Sequence, residues 1–408
     1  MKWENIQKIR NFKFRKLLKI CENNPYYRNK VKKVLKIEEL SKLPILTRKI
    51  LQNKSLLTYN MPKRRVRFDS TSGSTGQPLR FAKDQSIGEP VKIATEMLFN
   101  SWSGLQFGEK HAQLWGHHKR SFLQNFWFRY LYRCKQFPPY YSDIDSFEII
   151  QKELNTFKPE ILTGYSSALY LAAVFSKQSD IELKYKLKSI IASAEMLLSS
   201  RKQLIEDVFQ CPVFMRYGTR ELDNIGMECS EKNGYHYVAS RYIIEIINST
   251  GEVVSPGEEG RLVITDLNNY VMPLIRYEIG DTAIMSDETC SCGRTWPIIE
   301  QIRGRIGDFL ILPSGKLFPF LLFNVIFEQA GDIIREFQLI QKTKSLWLVK
   351  LVKNPNFDEK KISQLKKALE NETYNEVEIS FLYTDKIERT PSGKFRYIIR
   401  SDESPFIP

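Results

Sequence analysis

Charged and apolar side chains alternate through Arg65-Val66-Arg67-Phe68, the two-residue period of a short strand. Ahead of it, the first 60 residues read as helices broken by turns at Asn24-Pro25 and Leu43-Pro44. From there to about residue 215, helical patterns alternate with short apolar runs such as 187–192, the texture of a mixed α/β sheet with helices packed against it. Between residues 235 and 300 the texture changes. Ile244, Ile246, Val253, Leu262 and Ile264 fall in short β-like runs cut by Gly251, Pro256, Gly257 and Gly260, which predicts a β-rich subdomain. Beyond residue 308, strands are expected at 337–340, 346–351 and 377–382. An amphipathic helix at 358–372 would carry Ile362, Leu365 and Leu369 on one face. The pattern predicts an α/β protein: a large N-terminal α/β body over 1–308 and a small, separable C-terminal α+β domain over 309–408.

Composition narrows the class without naming the chemistry. Of 408 residues, 42% are hydrophobic and 26% charged, which excludes a disordered chain. The most apolar run, 318–327, is interrupted by Pro319 and Asn324 and falls short of the ~20 residues of a membrane span. No apolar segment follows the charges at the N-terminus, so a secretory signal is not expected and the protein is read as cytoplasmic. The formal charge of +14 is spread along the chain, denser over 8–19 and at Lys63, Arg64, Arg65 and Arg67. It fits a solvated lysine-rich surface or an anionic, phosphate-bearing ligand. Nucleic acid is not expected, since no zinc-finger, helix-turn-helix or RNA-binding signature accompanies the charge.

Chemistry concentrates in five segments. In Thr71-Ser72-Gly73-Ser74-Thr75-Gly76-Gln77-Pro78, glycines allow close backbone approach, and consecutive hydroxyls and N–H groups can cradle phosphate oxygens. The segment lacks a Gly-Lys-Ser/Thr ending and so is not a Walker A loop; alone, such a run is more often a flexible loop. Tyr217-Gly218-Thr219-Arg220-Glu221 follows a strand expected at 213–215. Arg276-Tyr277-Glu278-Ile279-Gly280-Asp281 closes the β-rich region, Gly304-Arg305-Ile306-Gly307-Asp308 sits at the expected domain boundary, and Arg389-Thr390-Pro391-Ser392-Gly393-Lys394 lies near the C-terminus. Any one of them alone would read as a turn; the five in this order are specific.

Together with Asn24-Pro25-Tyr26-Tyr27-Arg28, the 43–47 stretch and Ser193-Ala194-Glu195, these segments resemble the adenylate-forming superfamily, and within it the phenylacetate–CoA ligase-like family. The resemblance spans nearly the whole chain and is similar in detail to members found with capsule and surface-polysaccharide genes. It implies activation of a carboxylic acid by ATP and Mg²⁺ as an acyl-adenylate, with release of pyrophosphate. The acyl group then passes to CoA or to an amine, the latter in surface-glycan assembly and carried on a sugar. By the resemblance, Ser72, Gly73, Ser74, Thr75 and Gly76 hold the ATP phosphates, and Thr71 joins Glu221 and Lys394 as a catalytic residue. Tyr217 packs on adenine, with Gly218, Thr219 and Glu195 in the nucleotide site, and Glu221 holds Mg²⁺. Asp281 accepts from the ribose hydroxyls beside Arg305, Asp308 is the hinge, and Lys394 reaches in from the small domain. Arg220, Glu278 and Ile279 depart from the residues usual at their positions, which puts the contacts around Arg220 in doubt. A non-catalytic nucleotide-binding partner in glycan assembly is the alternative, but it would be expected to have lost Glu221 or Lys394. The resemblance leaves a homodimer open.

Of the six cysteines, Cys290 and Cys292 share a turn, and Cys229 lies seven residues before His236. The four form a Cys₃His set suited to tetrahedral structural Zn²⁺, against the plainer reading of reduced cysteines and an unrelated histidine. His111, His117 and His118 precede a basic, aromatic stretch over 119–133 that would either line an acyl pocket or pack as helix. Gly164-Tyr165-Ser166-Ser167 would face the acyl substrate by the same resemblance, or open a helix with a serine as its cap.

Overall fold

The computed structural model describes residues 2–52, 56–58, 61–70, 79–115, 133–137, 144–178, 183–305, 309–319, 323, 326–327, 333–389 and 395–400. The strands in chain order begin with β1 (Val66–Ser70), β2 (Arg80–Asp84), β3 (His111–Leu114), β4 (Cys134–Phe137), β5 (Ile161–Tyr165) and β6 (Ser189–Ser193). There follow β7 (Val213–Thr219), β8 (Asp223–Glu228), β9 (Tyr235–Tyr237), β10 (Tyr242–Ile247), β11 (Glu259–Asp266), β12 (Tyr277–Ser286) and β13 (Ile298–Arg305). Last come β14 (Phe309–Ile311), β15 (Leu317–Pro319), β16 (Ile334–Gln341), β17 (Leu346–Lys353), β18 (Glu378–Tyr383) and β19 (Ile398–Arg400). The described residues divide into two units: those up to 107 with 214–305, and 108–213 with 309–400.

In the first unit, β7 to β13 form antiparallel pairs in the order β10-β11-β12-β13-β9-β8-β7. The helix Trp3–Cys21 buries Ile6, Phe14, Leu17, Leu18 and Cys21, a stripe at helical spacing. Arg276 is buried at φ +51° and its guanidinium binds Glu245 and the carbonyls of Ser41 and Leu43. A buried guanidinium is tolerable only when its donors are met in this way. With Leu46 N–H to Arg276 O at 2.8 Å and Glu278 N–H to Leu46 O at 3.0 Å, the 43–47 stretch is pinned beside β12. β1 and β2 pair antiparallel up to Ser70 opposite Arg80. Val253, expected in a strand, makes an isolated bridge to Ile247 and is 56% exposed, because Gly251 and Pro256 interrupt the run around it.

In the second unit, β4-β3-β5-β6 are parallel, and every residue of β5 and β6 is buried. Continuous burial without alternation is the mark of a parallel strand covered on both faces. A four-stranded sheet, β18-β17-β16-β19, carries the expected helix Glu359–Glu372, capped by Asp358 and buried at Ile362, Leu365 and Leu369. Its core of Phe323, Phe337, Trp347, Val349 and Leu351 also takes in Leu198, from far earlier in the chain. The predicted α/β class with a C-terminal α+β portion is the one observed. Among the described residues no helix is long and apolar enough to cross a membrane.

Candidate active site

The turn between β7 and β8 is the centre of the site in the first unit. A β-carbon on Gly218 would collide with the backbone oxygen of Asp223, so only glycine lets the hairpin close this tightly. The Leu222 N–H donates to the Thr219 hydroxyl at 3.1 Å, and Asp223 takes φ +60°. These constraints hold Tyr217 and Glu221 on either side of the turn. The Tyr217 hydroxyl donates to Asp281 Oδ2, and the Tyr277 hydroxyl donates to Glu221 Oε1 at 3.3 Å. Asp281 and Glu221 are both buried, and the Tyr235 ring meets the Tyr217 ring edge-on at 6.3 Å. Two carboxylates and a phenol ring thus converge from β12 and from the β7–β8 turn.

The same turn is tied to the roots of the 71–78 segment. Lys83 on β2 forms an ion pair with Asp223, and Arg220 reaches Asp69 on β1 at 3.6 Å. Arg241 completes a buried network, binding Asp223 and Asp266 at 3.2 Å each. Burial alone would raise the Asp223 carboxyl, but Lys83 and Arg241 overcome it and hold that carboxyl below its ordinary value.

A second cluster lies in the same unit. Cys229 follows β8, His236 is in β9, and Cys290 and Cys292 lie between β12 and β13; their ligand atoms all fall within 4.8 Å of one another. Cys229 Sγ is 3.6 Å from Cys290 Sγ, and Cys292 Sγ is 3.3 Å from His236 Nε2. A tetrahedron with metal–sulfur bonds of about 2.3 Å has edges of about 3.8 Å, close to these separations. His236 Nδ1 lies 2.8 Å from the Trp296 carbonyl, which turns Nε2 toward the thiols. Burial, the largest influence, lowers the imidazole's pKa and favours the neutral ring a metal requires.

In the second unit, Gly164 is packed so closely against Leu169 and Leu114 that a side chain would displace them. The helix Ser166–Gln178 begins immediately afterwards, and Glu195 meets its first turn, accepting from Ser167 N–H at 2.9 Å. The Trp115 and Tyr165 rings meet at a tilt with centres 4.3 Å apart, and His111 is buried in β3.

Known proteins bear on these constellations. Residues 310–401 match the CapK C-terminal domain. Protein CapK of Staphylococcus aureus is 27% identical over 94% of this chain and 86% of its own length. A phenylacetate-coenzyme A ligase of Thermus thermophilus is 28% identical over 46% of this chain, which spans 43% of that enzyme. Among solved structures, 2-hydroxyisobutyryl-CoA ligase with 2-HIB-AMP in its postadenylation state superposes with a TM-score of 0.77 at 17% identity, covering 98% of this chain and 90% of that one. The amide bond synthetase McbA of Marinactinospora thermotolerans reaches a TM-score of 0.57 at 11% identity, over 82% of this chain and 69% of that one.

The chain has the fold of adenylate-forming CoA ligases, and its sequence is similar to CapK over most of its length and to phenylacetate-coenzyme A ligases over about half.

Of the residues expected in the site, Tyr217, Gly218, Thr219, Glu221 and Asp281 are brought together in the first unit, while Glu195 lies in the second. Thr71, Ser72, Gly73, Ser74, Thr75, Gly76, His117, His118, Asp308 and Lys394 lie outside the described residues, as does the side chain of Arg305. The sequence reading missed Lys83, Asp223 and Tyr235, and it named Tyr277 without its contact to Glu221. The signal for Asp223 was present, an acid two positions beyond Glu221, but its partners lie 140 residues before it at Lys83 and 18 residues after it at Arg241.

Proposed function

We propose that this ligase activates a carboxylic acid with ATP. The acid's oxygen attacks the α-phosphorus, the bond to the β-phosphate bridging oxygen breaks, and acyl-adenylate and pyrophosphate result. The acyl group then passes to a thiol, that of CoA, or to an amine, with AMP leaving. The observation that carries this reading is the convergence of Tyr217, Asp281 and Glu221 around one glycine-pinned turn, tied by Lys83 and Arg220 to the roots of the 71–78 segment. Tyr217 offers a ring face for adenine, and Asp281 an acceptor suited to vicinal hydroxyls. Thr71 and the hydroxyls and amides of 72–76 suit the phosphates, with Arg305 beside the ribose. The buried Glu221 carboxylate is a hard oxygen ligand of the kind Mg²⁺ takes. That ion would neutralise phosphate charge when bound. Lys394 supplies a second positive charge as negative charge gathers at phosphorus. Residues 309–408 act as a lid turning at Asp308, presenting Lys394 for the first half-reaction and withdrawing it for the second.

The Cys229, His236, Cys290 and Cys292 cluster holds structural Zn²⁺ in this reading. The near-tetrahedral separations and the Trp296 carbonyl that orients His236 support it. All four positions are filled by protein, which leaves no open site for catalysis. The setting is cytoplasmic, where ATP and CoA are at hand.

ATP–pyrophosphate exchange across a panel of aryl, fatty, hydroxy and amino acids tests the activity, with Asp281→Asn and Lys394→Ala beside the wild type. Exchange that depends on one acid and collapses in both variants is expected. Adding CoA or amino sugars to that acid then separates thioester from amide formation. Tight binding of Mg·ATP without exchange for any acid would instead favour a nucleotide-binding partner in glycan assembly.

A further inference from the structure

We infer that the outer face of the helix Trp3–Cys21 is a docking surface for an anionic lipid bilayer, one that seats the protein peripherally on a membrane. The chain's positive charge is concentrated near one end of the sequence. Residues 1–36 hold 12 lysines and arginines against two acids, Glu4 and Glu22, a net +10 of the chain's +14. The remaining 372 residues carry only +4. The helix displays this charge around an exposed aromatic ring. Its inner stripe, Ile6, Phe14, Leu17, Leu18 and Cys21, is buried. At about 100° per residue Phe12 points almost directly away from that stripe, and it is 69% exposed. Lys8 and Lys16 stand one turn before and after it, with Arg15 and Lys19 beside them, and all four are exposed. The two acids lie at the ends of the helix, away from the ring.

Cations nearer the buried seam are engaged by the protein itself. Lys13 donates to the Ser240 carbonyl at 2.9 Å, and Arg10 lies over the Trp3 ring at 5.5 Å. Lys16 lies over the Tyr270 ring at 5.0 Å and keeps its exposure. Lys8, Arg15 and Lys19 meet no carboxylate among the described residues. Leu35, 77% exposed, repeats the motif between Lys33 and Lys36. An exposed phenylalanine alone says little, since single apolar residues on a surface are ordinary. Four cations around it change its meaning. Lipid phosphates answer the cations, and the ring reaches the acyl boundary just beneath them. Duplex nucleic acid would also answer the cations, but it leaves Phe12 in water. Because the helix keeps its main apolar stripe in the core, the contact is shallow and reversible.

The test mixes full-length protein with vesicles of phosphatidylcholine, with or without about 30% phosphatidylglycerol, and reads bound protein by flotation. Binding to the anionic vesicles is expected at about 0.1 M salt, with release at about 0.5 M and none to the neutral vesicles. Each cation contributes about fivefold, so Lys8→Gln, Arg15→Gln and Lys19→Gln together should weaken binding roughly 100-fold. Phe12→Ala should weaken it about fivefold. Phe12→Trp should bind more tightly, a gain that misfolding does not imitate. Failure to bind anionic vesicles, equal binding to neutral ones, or wild-type binding by the triple variant overturns the inference. So does a short RNA or DNA that displaces the protein from vesicles while Phe12→Ala leaves both affinities unchanged, which would make this a nucleic-acid surface. Docking needs no ATP, so its outcome is independent of the adenylation reading.

Discussion

Gly218 and Tyr217 show what single positions contribute. Replacing Gly218 with alanine forces the β7–β8 hairpin apart at Asp223, and a cost of about 2 kcal/mol in urea unfolding is expected, with weaker AMP binding. Tyr217→Phe removes the hydroxyl that donates to Asp281 but keeps the ring. AMP affinity by calorimetry should drop about fivefold, the value of one hydrogen bond near 1 kcal/mol, while Asp281→Asn should lose considerably more. Residues of this kind were legible in the sequence because glycine, tyrosine and aspartate sit in short local patterns. Lys83 was not, since a lone lysine in a strand looks the same whether it faces water or a carboxylate on another strand.

Among elements, the β2, β8, β10 and β11 network makes stability depend on pH. Asp223 titrates below its ordinary value when folded, so its contribution is present above the unfolded carboxyl's pKa of about 3.9 and is lost as pH falls through the lower folded value. Asp223→Asn should cost about 3 kcal/mol at pH 7, because it leaves Lys83 and Arg241 partly unmatched. The difference from wild type in urea midpoint should shrink toward pH 3. The Cys₃His cluster joins β8, β9 and the β12–β13 connection. Purified protein is expected to carry close to one zinc per chain by mass spectrometry of the metal, and Cys290→Ser to lose it and melt several degrees lower. Strands at 337–340 and 346–351 and the helix at 358–372 were readable from their periods. The pairing order β10-β11-β12-β13-β9-β8-β7 was not, because β9 is three residues long and β13 returns to it across some 60 residues of chain.

For the whole chain, residues 309–400 complete a core begun much earlier: Leu198 sits among Phe337, Trp347 and Leu351, and Glu195 holds the Phe395 amide. A chain stopped after residue 308 should therefore bind ANS and lose pyrophosphate exchange, because Met196 and Leu198 are left without their covering side chains. The joining of distant segments also sets a clock. Glu195 and Phe395 are separated by 200 residues, which a ribosome adds in roughly 10 to 40 s. Through that interval the helix Ser166–Gln178 and β6 exist without their last partner, so this stretch of apolar surface belongs to the nascent chain's most vulnerable period. The contact between Glu195 and the Phe395 amide can form only after residue 395 has been made, so a chain interrupted earlier lacks it.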